Sequence, residues 1–240
     1  WGLATPIGID TGNFYGIFPK VAIDDSGTSV AIWVNHVSLP IGQGYFQLNS
    51  NRHSSEGWSG PAPIGDDSAI WEPYTSQVAM DGNGNAIVVW QDMYLGVCAC
   101  RFSDGDWGPE VRLGNYSGGG SSTPQVAMCE NGDAFVIWSQ DYPDYSIDAA
   151  RYSAGSWGAA TRISVDQGNF SVIPEIATDR NGNAIVVWMQ MYTYTGGTVQ
   201  ALIYTAAKET GTDMTPVAVV VVVVIVAGVA GALVLFRRRR

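Results

Sequence analysis

Asp81–Gln91 reads DGNGNAIVVWQ, and Asp179–Met189 reads DRNGNAIVVWM. Two such similar stretches in a chain of 240 residues point to internal repetition, which decides the whole fold and so comes before any assignment of elements. Four copies align without gaps: VAIDDSGTSVAIW from Val21, VAMDGNGNAIVVW from Val78, VAMCENGDAFVIW from Val126 and IATDRNGNAIVVW from Ile176. Their closing tryptophans, Trp33, Trp90, Trp138 and Trp188, set periods of 57, 48 and 50 residues. A tryptophan segment follows three of the copies, as WSGPAPIG from Trp58, WGPEVRLG from Trp107 and WGAATRIS from Trp157. The fourth copy lacks it, while the chain opens on WGLATPIG from Trp1, the same segment with no repeat ahead of it. IDTGNFYGIFP from Ile9 and VDQGNFSVIPE from Val165 keep the register between copies.

Within each copy the run after the glycine is short, β-branched and bounded by turn residues, which predicts a strand entered from a tight hairpin. In the second copy SQVAMD from Ser76 and AIVVWQ from Ala86 are the arms, and GNGN from Gly82 is a turn whose Asn and Gly predict type I′. A variable loop, a third strand (GVCACRFS from Gly96, IDAARYS from Ile147) and the tryptophan segment as fourth strand complete an antiparallel meander. A meander of about 50 residues, repeated, predicts an all-β chain: a β-propeller of about four four-stranded blades, or part of a larger propeller. A β-solenoid has shorter coils, and a row of sandwiches needs about 100 residues per domain. Trp1–Gly8 is the segment that the blade from Ile176 lacks, so it is expected to close a four-bladed ring. A cut through a ring of roughly six to eight blades would leave the same orphan segment, and both readings stay open.

From Val217 to Phe236 the chain runs VAVVVVVVIVAGVAGALVLF, 20 uncharged residues, the length of a helix that crosses a hydrocarbon core of about 30 Å. In lipid the backbone has only itself to bond, so a helix is expected despite the valines. Arg237 to Arg240 place the C-terminus in the cytoplasm by the positive-inside rule. The expected organisation is therefore an extracellular repeat region over 1–213, one transmembrane helix over 214–236 and a cytoplasmic basic tail over 237–240, single-pass in the cell membrane with the N-terminus outside. Such a region needs an export signal, and none precedes Trp1, which reads as a mature form or a fragment. All 22 acidic residues precede the span, against eight of the 12 basic ones, and so acidic a surface excludes nucleic acid as a partner.

The pattern P-Q-V-A-x-D-x-x-G-N-A-x-x-V-W, A-R-Y and W-G-x-A is carried by Pro124, Asp81, Gly84, Trp90, Arg151, Tyr152, Trp157 and Gly158. It resembles the repeats of secreted and surface proteins of archaea and bacteria that are grouped loosely with sialidase-like propeller repeats. The resemblance covers all four copies; it implies a propeller fold and an extracellular setting, with no settled activity attached.

Asp24, Asp81 and Asp179 stand at equivalent positions, where Asp is expected to tie the turn by accepting backbone N–H bonds. A calcium site is the weaker alternative, because position six of DGNGNA is Ala86 where a calcium loop needs Gly. Cys129 replaces that Asp in the third copy. Cys98 and Cys100 fall at strand spacing on one face, and no fourth ligand accompanies the cysteines for a metal. No cofactor is expected.

Catalysis needs different residue types converging on one point, whereas Arg101 and Arg151, or Arg112 and Arg162, are paired by the repeat and read as structural. The residues that break the repeat lie in the long first copy: His36, His53, Glu56, Asp66, Asp67, Trp71 and Glu72. They lack a nucleophile pattern and read as loop residues. The loops after the closing tryptophans differ in every copy and carry Tyr94, Tyr142, Tyr145, Tyr192 and Tyr194, which a propeller gathers on one rim suited to sugars or proteins. The expected function is that of a membrane-anchored surface propeller with a non-catalytic role in glycan or protein recognition, adhesion or a surface layer. The alternative is a sialidase-like glycoside hydrolase or a fragment of one.

Asn115 in NYS and Asn169 in NFS are the Asn-x-Ser/Thr sequons, both in connectors after a tryptophan segment, and NFY at Asn13 lacks the hydroxyl. Intact-mass measurement of native protein is expected to show sugar on Asn115 and Asn169, removed when both are changed to Gln. An unmodified native mass rejects this.

Overall fold

Each repeat folds into one antiparallel sheet in a computed structural model that describes residues 3–8, 16–38, 44–65, 75–92, 96–114, 123–140, 145–164, 170–193, 196–206 and 220–223. The first sheet is β1 (Gly16–Ile23), β2 (Ser29–Ser38) and β3 (Gly44–Ser54), with β4 (Gly57–Trp58) and β5 (Ala62–Pro63) both on β3. The second is β6 (Gln77–Met80), β7 (Ala86–Asp92) and β8 (Gly96–Ser103), with β9 (Asp106–Trp107) and β10 (Val111–Arg112) both on β8. The third is β11 (Gln125–Met128), β12 (Ala134–Gln140) and β13 (Ser146–Ser153), with β14 (Ser156–Trp157) and β15 (Thr161–Arg162) on β13. The fourth is β16 (Phe170–Thr178), β17 (Ala184–Thr193), β18 (Gly196–Tyr204) and β19 (Val220–Val223). The expected meander is therefore present in every copy. Its fourth strand is split in the first three sheets, where Gly60, Gly108 and Gly158 interrupt the extended run.

The turn type differs from expectation. Asp24 N–H bonds the Thr28 carbonyl at 2.9 Å, and Asp81 bonds Asn85 and Asp179 bonds Asn183 in the same way at 3.0 Å, each closing a three-residue loop. Only the last loop residue has positive φ, at Gly27 (86°), Gly84 (80°), Gly132 (84°) and Gly182 (84°). This is a type I turn followed by a left-handed glycine, so Asn83 pays no strain. The type I′ pair lies one hairpin further on, at Asp104–Gly105 (φ 56° and 98°) and Ala154–Gly155 (50° and 82°).

The chain divides into two compact units, Trp1–Tyr116 and Ser117–Arg240. The repeat pattern alone does not announce that division. In the first unit Val30, Ile32, Val34 and Leu48 of the first sheet pack against Ala86, Val88, Trp90, Cys98 and Cys100 of the second, all essentially buried. In the second unit Ile137 and Ile147 of the third sheet pack against Val186 and Trp188 of the fourth. Alternation along β7 explains the asymmetry: Ala86, Val88 and Trp90 share one face, and that tryptophan face meets the preceding sheet within the unit.

At the two ends the described residues differ in part from expectation. Residues 3–8 form no strand of the fourth sheet; they lie beside the first, where Asn51 Nδ2 donates to the Ile7 carbonyl at 2.8 Å. The fourth sheet takes its fourth strand from Val220–Val223, which pair with Ile203–Gln200. These four residues were expected in a transmembrane helix. They are strand because β18 lacks its tryptophan segment, its open edge offers unpaired backbone groups, and valine suits a pleated backbone. Among the described residues no helix is long and apolar enough to cross a membrane. The rest of 214–236 lies outside the described residues, as do Asn115 and Asn169.

Gly65 shows why the tryptophan segment ends in glycine. Its φ is +73°, and a Cβ there would lie 3.1 Å from Glu110 Oε2 and 3.4 Å from the Trp90 ring. Gly65→Ala is expected to cost about 1–3 kcal/mol in urea unfolding. Gly158→Ala, at a position where the first repeat carries Ser59, is expected to stay within about 0.5 kcal/mol of wild type. Equal effects of the two would reject the packing account.

Candidate binding surface

The polar groups that recur in every repeat are spent on structure. Asp24 Oδ1 accepts the backbone N–H of Ser26 at 2.8 Å and of Thr28 at 2.9 Å. Asp81 does the same for Asn83 and Asn85, both at 2.9 Å, and takes the Asn85 amide on Oδ2 at 2.6 Å. Asp179 repeats the set with Asn181 and Asn183. The Asn183 side chain, then its N–H, hold the Asp179 carboxyl below its ordinary pKa. The turn-tying role expected of these carboxylates is the one they have. In the third copy Cys129 cannot serve, and Asn131 Oδ1 instead accepts the Asp133 N–H at 3.1 Å. Among the described residues no group of three or more His, Cys, Asp or Glu is placed to hold a metal.

Of the arginines expected to be structural, Arg151 joins neighbouring sheets, whereas Arg162 Nε lies 3.9 Å from Asp148 of its own sheet and Arg112 Nε donates to the Gly114 carbonyl. Arg151 Nη1 donates to Tyr204 Oη at 2.6 Å and Nη2 to Asp133 Oδ2 at 2.7 Å. Its guanidinium also lies 5.1 Å from the centre of the Tyr204 ring and 5.6 Å from that of Phe135. Arg52, its repeat equivalent in the first unit, lies 5.4 Å from the Phe102 ring centre, and Phe102 is the equivalent of Tyr204. Sequence reading saw the repetition but not the partner, because arginine and aromatic belong to successive repeats.

The residues that break the repeat are dispersed. His53 sits opposite Ser29 and His36 opposite Phe46, so the two are seven positions apart along β2, about 23 Å. Each stacks edge-on, His36 with Phe46 and His53 with Trp58, at 5.1 Å between ring centres. Glu56 lies in the turn after β3, where its N–H meets Ser54 Oγ at 3.2 Å. Asp66, Asp67, Trp71 and Glu72 lie outside the described residues. Cys98, Cys100 and Cys129 are buried and in no disulfide, with Cys98 and Cys100 on one face as expected. Burial, then Glu110, pushes the Cys98 thiol far up, and burial raises Cys129, so neither is a ready thiolate.

Of the rim tyrosines, Tyr94, Tyr142 and Tyr194 lie outside the described residues. Tyr145 immediately precedes β13 and stacks edge-on with Phe170 at 4.6 Å. Phe170 pairs across the sheet with Met191, the neighbour of Tyr192, so Tyr145 and Tyr192 come to the same end of two adjacent sheets in the second unit. Tyr192 is 48% exposed, and its hydroxyl lies 2.9 Å from Thr198 Oγ1, which also accepts from Gln200 Nε2 at 3.0 Å. An exposed ring beside a short hydroxyl–amide chain offers a stacking face and a polar handle together.

No protein-family model matches the chain, and no curated protein matches it. Among solved structures it is similar to the GH93 α-L-arabinofuranosidase of Fusarium graminearum with arabinobiose, at 12% identity and a TM-score of 0.51 over 90% of this chain and 68% of that one. It is also similar to the fucose-specific lectin from Aleuria aurantia, at 13% identity and a TM-score of 0.48 over 78% of this chain and 57% of that one. A protein of unknown function from Dyadobacter fermentans gives 13% identity and a TM-score of 0.48 over 82% and 67%. At such identity the likeness to the arabinofuranosidase shows the fold alone, a succession of four-stranded antiparallel sheets of the propeller kind.

The Arg151–Asp133 pair carries a pH dependence. Burial works to raise the Asp133 carboxyl, but hydrogen bonds from Arg151 and Ser153 and the Arg151 charge bring it below its ordinary pKa. A depressed folded-state value means that the pair stabilises fully above the unfolded value of about 3.9 and is lost as pH falls through the lower folded value. Arg151 is partly exposed, so Asp133→Asn is expected to cost only about 1 kcal/mol at pH 7. That difference should shrink as pH is lowered toward 2. Urea midpoints at both pH values check it, and a difference that persists in acid rejects it.

Proposed function

We propose that this chain is a cell-surface β-propeller module that binds carbohydrate without turning it over. The observation that carries the reading is the exposed Tyr192 ring with its Thr198 and Gln200 partners, beside the Tyr145–Phe170 pair at the same end of the second unit. Sugar rings stack on aromatic faces while their hydroxyls take up hydrogen bonds at the edge, and this set supplies both. The excess of carboxylates over basic groups ahead of the apolar run disfavours anionic sugars, so the ligand class is a neutral glycan. The likeness in fold to a carbohydrate-active enzyme is compatible with this reading and with the hydrolase alternative. The uncharged run over 217–236 with the arginines after it is the proposed anchor; in the lipid-inserted state Val220–Val223 leave β18 and join a helix.

Glycan-array binding by the full chain in detergent, with chromogenic glycosides run in parallel, tests the reading. Tyr192→Ala and Tyr145→Ala are each expected to weaken binding by roughly fivefold, about 1 kcal/mol, with no turnover in any sample. Turnover that is abolished by replacing Asp67 or Glu72 would establish the hydrolase instead.

A further inference from the structure

Arg52 and Arg151 occupy the same place in their repeats and end differently. Arg151 Nη2 holds the Asp133 carboxylate at 2.7 Å and Nη1 the Tyr204 hydroxyl at 2.6 Å. The corresponding residues of the first unit are Thr28 and Phe102, so the sequence removes the carboxylate and the hydroxyl together. Among the described residues the Arg52 guanidinium has no hydrogen-bond or ion-pair partner. What remains to it is the stack on Phe102, 5.4 Å from the ring centre. Nε is buried without an acceptor in both arginines, so the difference lies in the two Nη groups. A Cβ on Gly84 would lie 3.3 Å from Arg52 Nη2 and 3.6 Å from Asp24 Oδ2, yet those two form no ion pair, and Asp24 spends Oδ1 on its own turn.

The cleft beside Arg52 departs from its counterpart in the same direction. In the second unit the slot beside Tyr204 measures about 320 Å³ and is faced by Ala149, Ala150 and Gly158 of the third sheet. In the first unit the same positions are Ser50, Asn51 and Ser59, and the Trp107 ring takes part of the space, leaving about 190 Å³. Trp107 Nε1 donates to Ser50 Oγ at 2.9 Å, and Asn51 Oδ1 accepts the Gly60 N–H at 3.0 Å, so the polar wall is fixed by the chain itself. The space is below the roughly 300–1,000 Å³ of clefts for drug-sized ligands and suits a molecule no larger than one sugar ring. One cleft thus offers methyl groups and a spent arginine, the other hydroxyls, an amide, an indole and an arginine with two Nη groups to place.

We propose that the cleft of the first unit binds a small hydroxycarboxylate, its carboxylate on Arg52 Nη2 and a hydroxyl on Nη1. The ligand supplies the two groups that Asp133 and Tyr204 supply to Arg151 from within the chain. A guanidinium and a carboxylate meet as planar, charge-assisted partners, which favours an acid over a neutral sugar at this point. The acidity of the chain, with 22 acidic residues against 12 basic, repels polyanions at a distance, but salt screens that field beyond about 8–10 Å, and the contact itself is decided by Arg52. The site belongs to the other unit from Tyr192 and does not depend on the aromatic surface there.

The test is calorimetric titration of the full chain in detergent with D-glucuronate, a probe that combines a carboxylate with hydroxyls on one ring. Wild type is expected to bind it, and Arg52→Gln to weaken binding by roughly tenfold or more. Arg180→Gln, at an exposed arginine outside the cleft, is expected to stay within about twofold of wild type. The double variant Thr28→Asp/Phe102→Tyr returns the missing partners to Arg52. It is expected to lose binding as Arg52→Gln does while its urea midpoint rises, a combination that misfolding does not produce. Absence of binding by wild type overturns the proposal. So does glucuronate binding that survives Arg52→Gln or the double variant.

Discussion

The closing tryptophan of each repeat is the contact on which the sheets depend. Trp33, Trp90, Trp138 and Trp188 are all at most 7% exposed, and burying so large a ring is worth several kcal/mol of apolar transfer. The cost is visible in the same side chains: the indole N–H groups of Trp90 and Trp188 are buried without a hydrogen-bond partner. Packing wins at Trp90 and Trp188 because the ring fills the space between two sheets of one unit, and beside Trp90 the facing chain leaves no room for a side chain. That closeness places Gly8 beside Trp33 and Gly65 beside Trp90, and in the first unit it makes the end of the first repeat part of the core of the second.

The two ends of the sheets are built on different principles. At the hairpin end, repeated Asp and Arg residues saturate backbone donors and clamp neighbouring strands, which leaves little for a ligand. At the opposite end the loops vary, and aromatic rings and hydroxyls there are not consumed by the repeat. A fold that assigns its symmetric residues to cohesion leaves the asymmetric ones available for the recognition proposed above, which would suit loops held by a rigid scaffold.

Much of this was legible because period and pattern are local properties. The fourfold register, the meander, the structural standing of Asp81 and Arg151 and the shared face of Cys98 and Cys100 all follow from spacing. The turn was misread because Asn-Gly satisfies two turn types, and only the bond from Asp81 to Asn85 distinguishes them. The pairing of Val220–Val223 with β18 was not legible because length and hydropathy say nothing of an open strand edge elsewhere in the chain. The stacking of Arg151 on Tyr204 and the slot beside that ring were invisible, since each joins residues from different repeats. Of the five rim tyrosines the structure describes Tyr145 and Tyr192, and it brings those two to one end.

The split fourth strand has a colloidal consequence. An outermost strand normally presents a row of unpaired amides that a stranger's strand can extend into an aggregate. In the first three sheets that row is cut in two by a glycine-containing break, between β4 and β5, β9 and β10, and β14 and β15, so none offers a long template. The fourth sheet ends instead in Val220–Val223, an unbroken strand of valine. Pressure to keep this chain soluble during its synthesis therefore falls unequally along its length, and is greatest where the repeat has lost its own last strand.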